Sequence, residues 1–509
     1  MTRTRGLLLC ACAVLACAAT GAARAGLDVG VTEDAGKTSD AGVSFFATLN
    51  DVGLKVNRVS INWDATNPTA IAGQGEIAAW LPQAQAAGTR IIFAVAPAKA
   101  DGLTATPGAK TQFAAFLSEL AATFPTVKDY VIGNEPNQPH FWLPQFSPVG
   151  KPLAAAQYLP VLAASYDALK AVDPTINVIG VGLSPRGNDN PFGKDSRSRS
   201  PVRFLHDLGL AYRSSHRTKP LMDEFAYHPY PQPQQGPPSV RYAWPTAGLA
   251  NLDRIKQAVW DAFNGTAQPT FPEAGKSLFK PLKFDLDEVG WQVPPLPALV
   301  PLYTGVETAG TKLISEDDQA AYYRDTITIA ECDPAVRMLS FFHLIDETDL
   351  DRWQSGLERA DGSHRPSYDA VKQAIAQTHG NCPAAPVRWR HLTGVVLPAA
   401  AWGSLKPQPL KPTRWSFKAG AGEEADFRAG LFKAGPSKTV LGRRLAVGRP
   451  KPVLSTRGVI KAHTRLVSFP KRRLKPGLYV YAIRMTATMN PTRASVLVSR
   501  PFRVGSSKK

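Results

Sequence analysis

From residue 27 onward, short runs of consecutive apolar residues alternate with longer stretches whose apolar positions recur at helical spacing. The apolar runs predict strands over 27–31, 56–62, 90–96, 130–132, 176–183, 223–227, 282–288 and 336–344. The periodic stretches predict helices over 43–54, 76–88, 108–124, 151–172, 201–212, 251–263, 316–332 and 365–378. Arg90-Ile-Ile-Phe-Ala-Val-Ala96 is apolar almost throughout, as a strand covered on both faces must be. Eight strand-helix units in strict alternation predict an α/β fold of the (β/α)8 TIM-barrel type, because an open sheet has no reason to stop at eight.

The pattern changes at residue 383. Helical periodicity ends, and Pro and Gly punctuate short alternating runs such as Trp415-Ser-Phe-Lys418, Ala429-Gly-Leu-Phe-Lys433, 477–483 and 494–498. That spacing predicts an all-β sandwich, with 383–405 as linker and first strand. The domain reading is therefore a barrel over 26–382 and a β domain over 383–509. Ahead of them, Arg3 and Arg5, an apolar run over 6–19 and Ala23-Arg24-Ala25 have the order of a secretory signal ending near 25. Val14-Leu-Ala-Cys17 is an imperfect match to a lipidation motif. No other segment approaches the length of a membrane span. The expectation is a secreted, extracellular protein, with cell-envelope association as a variant of that reading.

Charge separates the same two halves. Residues 383–509 hold 26 Lys and Arg against Glu423, Glu424 and Asp426, a net of +23; since the chain totals +18, residues 1–382 carry −5. Runs such as Arg443-Arg444, Arg449-Pro-Lys451 and Lys471-Arg-Arg473 fit a surface for anionic cell-envelope polymers better than a nucleic-acid site, for which no motif is present. A charged spacer with no ligand is the plainer alternative. Of five cysteines, Cys10, Cys12 and Cys17 lie in the signal. Cys332 and Cys382 remain, an even pair expected to form a disulfide in an oxidising compartment, at the barrel's bottom face after the seventh and eighth helices. Two unpaired thiols are the alternative.

The chemistry concentrates at predicted strand ends. Tyr130-Val-Ile-Gly-Asn134-Glu135-Pro136 places a carboxylate where the fourth strand stops, and proline favours an extended predecessor, freeing Glu135 to point into a cleft. Glu288, before Gly290-Trp291, ends the seventh strand. Asp285 and Asp287 are neighbours, but alternation is expected to turn Asp287 away from Glu288, and Asp285 lies too early on the strand. Two carboxylates on different strand tips suit glycosidic hydrolysis, in which one protonates the leaving oxygen and the other attacks the sugar or activates water. Each motif has a plainer reading: Asn-Glu-Pro as a turn, Arg58 in a structural ion pair, His228 and Tyr230 as a satisfied polar corner, Trp142 as loop packing.

On these residues the barrel half, about 26–380, resembles the clan A glycoside hydrolases, which include the family five cellulases and mannanases and the family thirty-nine β-xylosidases and endoglycosidases. The resemblance implies Glu135 as acid/base, Glu288 as nucleophile, Asn134 as partner of the sugar 2-hydroxyl, and Arg58 beside the nucleophile with Trp63 close behind. It further implies that the His228-Pro-Tyr230 tyrosine orients the nucleophile and that the histidine lines the cleavage subsite. Trp291 and Trp142 are candidates for sugar stacking. The chain departs from the clan at strand eight, where Phe341-Phe342-His343 replaces the tryptophan expected there, so that His343 joins the candidate substrate-binding residues.

The implied reaction is retaining hydrolysis of a β-linked oligo- or polysaccharide by double displacement, with carboxylates about 5–5.5 Å apart. No cofactor or metal is required: the chain has no Cys/His cluster with ligand spacing and no phosphate-binding glycine loop. A carbohydrate-binding barrel without catalysis and an envelope-tethered exopolysaccharide-processing enzyme are the other readings.

Overall fold

The computed structural model describes residues 26–37, 40–194, 197–378, 381–398, 408–411 and 414–505. The signal and lipidation expectations fall outside these residues. Eight parallel strands, β1 (Asp28–Thr32), β2 (Val56–Trp63), β3 (Arg90–Pro97), β4 (Asp129–Ile132), β5 (Asn177–Leu183), β6 (Glu224–Tyr227), β7 (Phe284–Val289) and β8 (Val336–Phe341), pair in chain order. The barrel closes where β8 pairs with β1. Helices α1 (Val43–Val52), α2 (Gln74–Ala86), α3 (Ala109–Thr123), α4 (Ala154–Val172), α5 (Pro201–Ser214), α6 (Leu252–Phe263), α7 (Glu316–Glu331) and α8 (Pro366–Thr378) follow the strands one by one. The alternating pattern therefore led to the right fold, with element ends shifted by a few residues.

Two apolar layers hold the barrel together. Inward side chains including Val56, Ile92, Val131, Ile179 and Met338 fill its interior, and a larger shell packs between strands and helices. The interior is therefore a packed core, and chemistry is confined to its two ends. Cys332, capping α7, and Cys382, beyond α8, form a disulfide.

The C-terminal region is an antiparallel β sandwich. One sheet comprises β9 (Gln408–Lys411), β10 (Arg414–Gly420) and β14 (Thr464–Ser468). The other is built on the long β11 (Glu424–Val440) and on β15 (Gly477–Ala487), with β12 (Arg443–Val447), β13 (Leu454–Lys461), β16 (Ala494–Val498) and β17 (Phe502–Val504) beside them. Trp415 and Phe417 from the first sheet share one core with Phe427, Tyr481 and Ile483 from the second. Residues 383–398 contain no strand. Within them Trp389 packs into the barrel shell and His391 stacks on Trp260 with centroids 4.0 Å apart. Buried Arg493 joins the two halves, pairing with Glu423 at 2.6 Å and with Asp261 of α6 at 2.9 Å.

Candidate active site

At the C-terminal mouth of the barrel, Glu135 and Glu288 face one cleft of about 200 Å³. Glu135 follows the β4 end through Gly133, whose φ of +82° only glycine adopts freely. The expected extended geometry before Pro136 is not what forms. Glu135 has φ +35°, and its N–H donates to the Gly182 carbonyl at 2.9 Å, tying the turn to the end of β5. A left-handed non-glycine residue carries local strain, here at a residue that presents a carboxylate to the cleft. Asn137 pins the neighbouring long loop: its side-chain amide donates to the carbonyls of Ser184 at 3.1 Å and Arg199 at 2.9 Å, and its oxygen accepts from the Ser184 N–H.

Glu288 is held from two sides. Arg58 Nη1 donates to Glu288 Oε1 at 2.9 Å, and the Tyr230 hydroxyl donates to Oε2 at 3.2 Å. Arg58 Nη2 also donates to Asn134 Oδ1 at 3.0 Å, so one guanidinium orients residues from β4 and β7 together. His228 Nδ1 lies 3.0 Å from Glu135 Oε1 and 3.4 Å from Glu288 Oε2, between the two carboxylates.

Asp287 does not turn away as strand alternation predicts. It is fully buried under the cleft, 2.9 Å from Arg58 Nε and 3.4 Å from His228 Nε2. The β7–β8 pairing shifts register between Leu286 and Val289, an irregularity that resets which side chains face inward. Burial would push Asp287 up, but His228 and Arg58 hold it below the ordinary aspartate value. Burial likewise would lower His228, yet Glu288 and Asp287 hold it up at about 10, so the imidazole is a cation at neutral pH. Arg58 is raised despite its burial, by the same two carboxylates.

The aromatic lining differs from expectation. Trp291 does line the cleft, its indole N–H donating to the Gly236 carbonyl at 2.9 Å. Trp63 and Trp142 do not. Trp63 is wholly buried edge-on to Phe113 of α3, and Trp142 packs edge-on to Tyr158 of α4 with its N–H toward Gln157. An indole at the end of β2 or in the loop after β4 fits the helix layer as well as a sugar, and here packing won. In their place Tyr230, Phe342 and Trp353 form the aromatic wall, with Trp353 5.0 Å from Tyr230 and 5.6 Å from Phe342 between centroids. Phe342 occupies the end of strand eight and is joined to His343 by a cis peptide. Trp353 comes from the loop after β8, where no periodic signal marks it. Phe141, Arg186, Gln234 and Lys312 complete the rim, three of them from the long loops at 141–151, 186–199 and 231–248.

His343 is also displaced from its expected role. It is buried beside the cleft, 3.3 Å from Glu33 and 3.5 Å from Glu347, where it ties the end of β1 to the segment after β8. Burial would lower it, but these two carboxylates hold it up at about 10. A histidine raised in the folded state contributes stability in full below its unfolded value near 6.5, and loses that contribution as pH rises through about 10. The Tm of the wild type is therefore expected to fall between pH 7 and pH 10. His343→Gln should unfold earlier at pH 7 and show a flatter decline, with the residual slope owed to His228. An unchanged slope would show that His343 is not held as a cation.

Glu135, His228 and Glu288 are the one group among the described residues whose metal-ligating atoms all lie within 4.8 Å of one another. Arg58 and Tyr230 already occupy both Glu288 oxygens, and a fixed guanidinium 2.9 Å away opposes a second cation.

No known family model matches the sequence, and no curated protein matches it. Among solved structures, the chain is similar to a family 39 glycoside hydrolase from the gut symbiont Bacteroides cellulosilyticus WH2, at 17% identity and TM-score 0.49, covering 88% of this chain and 81% of that one. It is similar to a glucosidase from Croceicoccus marinus at 14% identity and TM-score 0.46, over 89% of this chain and 94% of the other. A GH5_18 structure from Streptomyces cattleya in complex with GlcNAc aligns at 17% identity and TM-score 0.45, over 74% and 85%.

Proposed function

We propose that this chain is a retaining glycoside hydrolase acting on β-linked glycans, with Glu288 as nucleophile and Glu135 as acid/base. The observation that carries the reading is the constellation itself: two carboxylates from β4 and β7 at the barrel mouth, with oxygens within 4.8 Å of each other and each held by a different partner. A retaining pair stands about 5–5.5 Å apart and an inverting pair about 6.5–9.5 Å to leave room for water, so oxygens approaching this closely support the retaining reading.

In the reading's first step, Glu288 attacks the anomeric carbon, and Glu135 passes its proton to the departing oxygen. Arg58 and Tyr230 keep the attacking carboxylate in one orientation, so less of the barrier is spent on positioning. In the second step, Glu135 takes a proton from water, which releases the sugar from Glu288 with its configuration kept. Tyr230, Phe342 and Trp353 offer ring faces for the apolar face of a pyranose. The disulfide fits the expectation of export to an oxidising compartment.

The test is a panel of β-linked oligosaccharides and aryl β-glycosides, with products sized and their initial anomeric configuration followed by NMR. Release of the β anomer first is expected. First release of the α anomer overturns the retaining assignment, and absence of turnover across the panel favours a binding protein.

A further inference from the structure

The outer face of the larger C-terminal sheet carries an arrangement that the folded domain alone does not account for. In β11, Arg428 pairs in register with Arg457 of β13 on one side and with Arg484 of β15 on the other. Side chains directly opposite on antiparallel strands stand about 4.5–5.5 Å apart at Cβ, and like charges there are destabilising. Alternation places all three on the face opposite the core residues Phe427 and Ala429. A fourth cation extends the row. Arg443 reaches over β16, its guanidinium donating to the Val496 carbonyl at 3.1 Å, where Val496 is the next residue in register beyond Arg484.

None of the four forms an ion pair among the described residues. Arg484 donates to the Leu441 carbonyl at 3.2 Å, which satisfies an N–H and leaves the charge uncompensated. The domain's acids are committed or idle: Glu423 pairs with Arg493, Glu424 with Arg203 of α5, and Asp426, on the same face as Arg428, pairs with neither row neighbour. Arg428 and Arg457 are exposed and Arg484 is half-buried, so the row is open to solvent.

We propose that Arg457, Arg428, Arg484 and Arg443 form a binding track for a linear polyanionic glycan that crosses the strands. With strands about 4.8 Å apart, the first three guanidinium stems span roughly 10 Å, a reach that suits successive acidic groups along an extended polymer. The row's face also carries Val459, Thr486 and Val496, and its one aromatic ring among these strands, Phe432, is buried in a cluster with Leu445 and Val447, so no exposed ring is offered for the base stacking that single-stranded nucleic acids use. The choice of a glycan as the polyanion rests on the glycosidase reading of the barrel.

The experiment compares binding of polygalacturonate, neutral dextran and duplex DNA to the whole chain at about physiological salt. The array variant is Arg428→Gln/Arg457→Gln/Arg484→Gln, and the control, Lys433→Gln/Lys451→Gln/Lys475→Gln, removes the same charge elsewhere on the domain. The array variant should lose on the order of tenfold in polygalacturonate affinity, about 1.4 kcal/mol, while the control changes little. Its Tm should hold or rise, because repulsion is relieved; Arg428→Gln alone, at the row's centre, should show a smaller loss in the same direction. Equal weakening in array and control, no weakening in either, or DNA bound more tightly than polygalacturonate overturns the proposal. The assay contains no turnover, so array-dependent binding by an inactive barrel would refute the proposed function and support the track.

Discussion

Replacing Glu288 with Gln is expected to reduce turnover of an aryl β-glycoside by on the order of 10⁶-fold, the scale seen when a covalent nucleophile is removed. The amide matches the carboxylate in shape, its oxygen still accepts from Arg58, and its NH2 can donate to the Tyr230 hydroxyl, so folding should be preserved. Glu135→Gln should differ in kind. With an activated leaving group that needs no proton, the first step survives and release of the sugar slows, so a burst of phenolate precedes a slow steady state. Azide separates the two roles when each glutamate is shortened to Ala. In Glu135→Ala it attacks the glycosyl-enzyme and gives a β-glycosyl azide, whereas in Glu288→Ala it replaces the nucleophile and gives the α product. Identical azide products from both variants would contradict the roles assigned here.

The largest expected effect on stability lies at the other end of the barrel. Arg337, near the start of β8, donates to Asp285 of β7 at 2.6 Å and 3.0 Å, to Asp129 of β4 at 3.3 Å, and pairs with Glu224 of β6. Asn177 of β5 adds hydrogen bonds to Asp129 at 2.7 Å and Glu224 at 2.9 Å, and Arg90 of β3 approaches Asp129 at 3.4 Å. Burial and the charge of Asp285 already push Glu224 well above an ordinary glutamate, so the cluster leans on its central cation. Removing one partner of a buried ionic cluster costs about 3–5 kcal/mol, because the others are left uncompensated. Arg337→Leu should therefore lower Tm by roughly 5–8 °C, since the barrel is larger than the roughly 150–250 residues for which about 2–4 °C per kcal/mol holds and the shift per kcal/mol falls with size. The deficit should shrink as pH falls and the stranded carboxylates take up protons. A loss below about 1 kcal/mol at pH 7 would mean that the floor is solvated like a surface pair.

What was legible in the sequence follows what depends on periodicity. The eight units were legible because each strand is a dense apolar run and each helix an amphipathic one, and their order alone put Glu135 and Glu288 at the same end. The polar floor was not. Asp129, Glu224, Asp285 and Arg337 stand near the beginnings of four different strands, and only closure of the barrel brings them together. Asp285, discounted as too early on its strand, belongs to that floor. Asp287 was misplaced because an irregular pairing breaks the alternation that an amino-acid pattern presumes. Trp353 lies in a loop without period, and Trp63 at the end of β2 and Trp142 in the loop after β4 show that an aromatic near the barrel mouth does not reveal which layer it faces. The arginine row was visible as charge and invisible as a row, since register across β13, β11 and β15 has no signature along the chain.

The most direct test of the central claim is to incubate the protein with activated 2-deoxy-2-fluoro-β-glycosides, which slow release of a glycosyl-enzyme, and to map the modified peptide by mass spectrometry. One glycosyl group per chain is predicted, esterified to Glu288, with Glu135→Gln slowing its hydrolysis. Labelling at another carboxylate, or hydrolysis of the true substrate with inverted configuration and no trapped ester, would contradict the account.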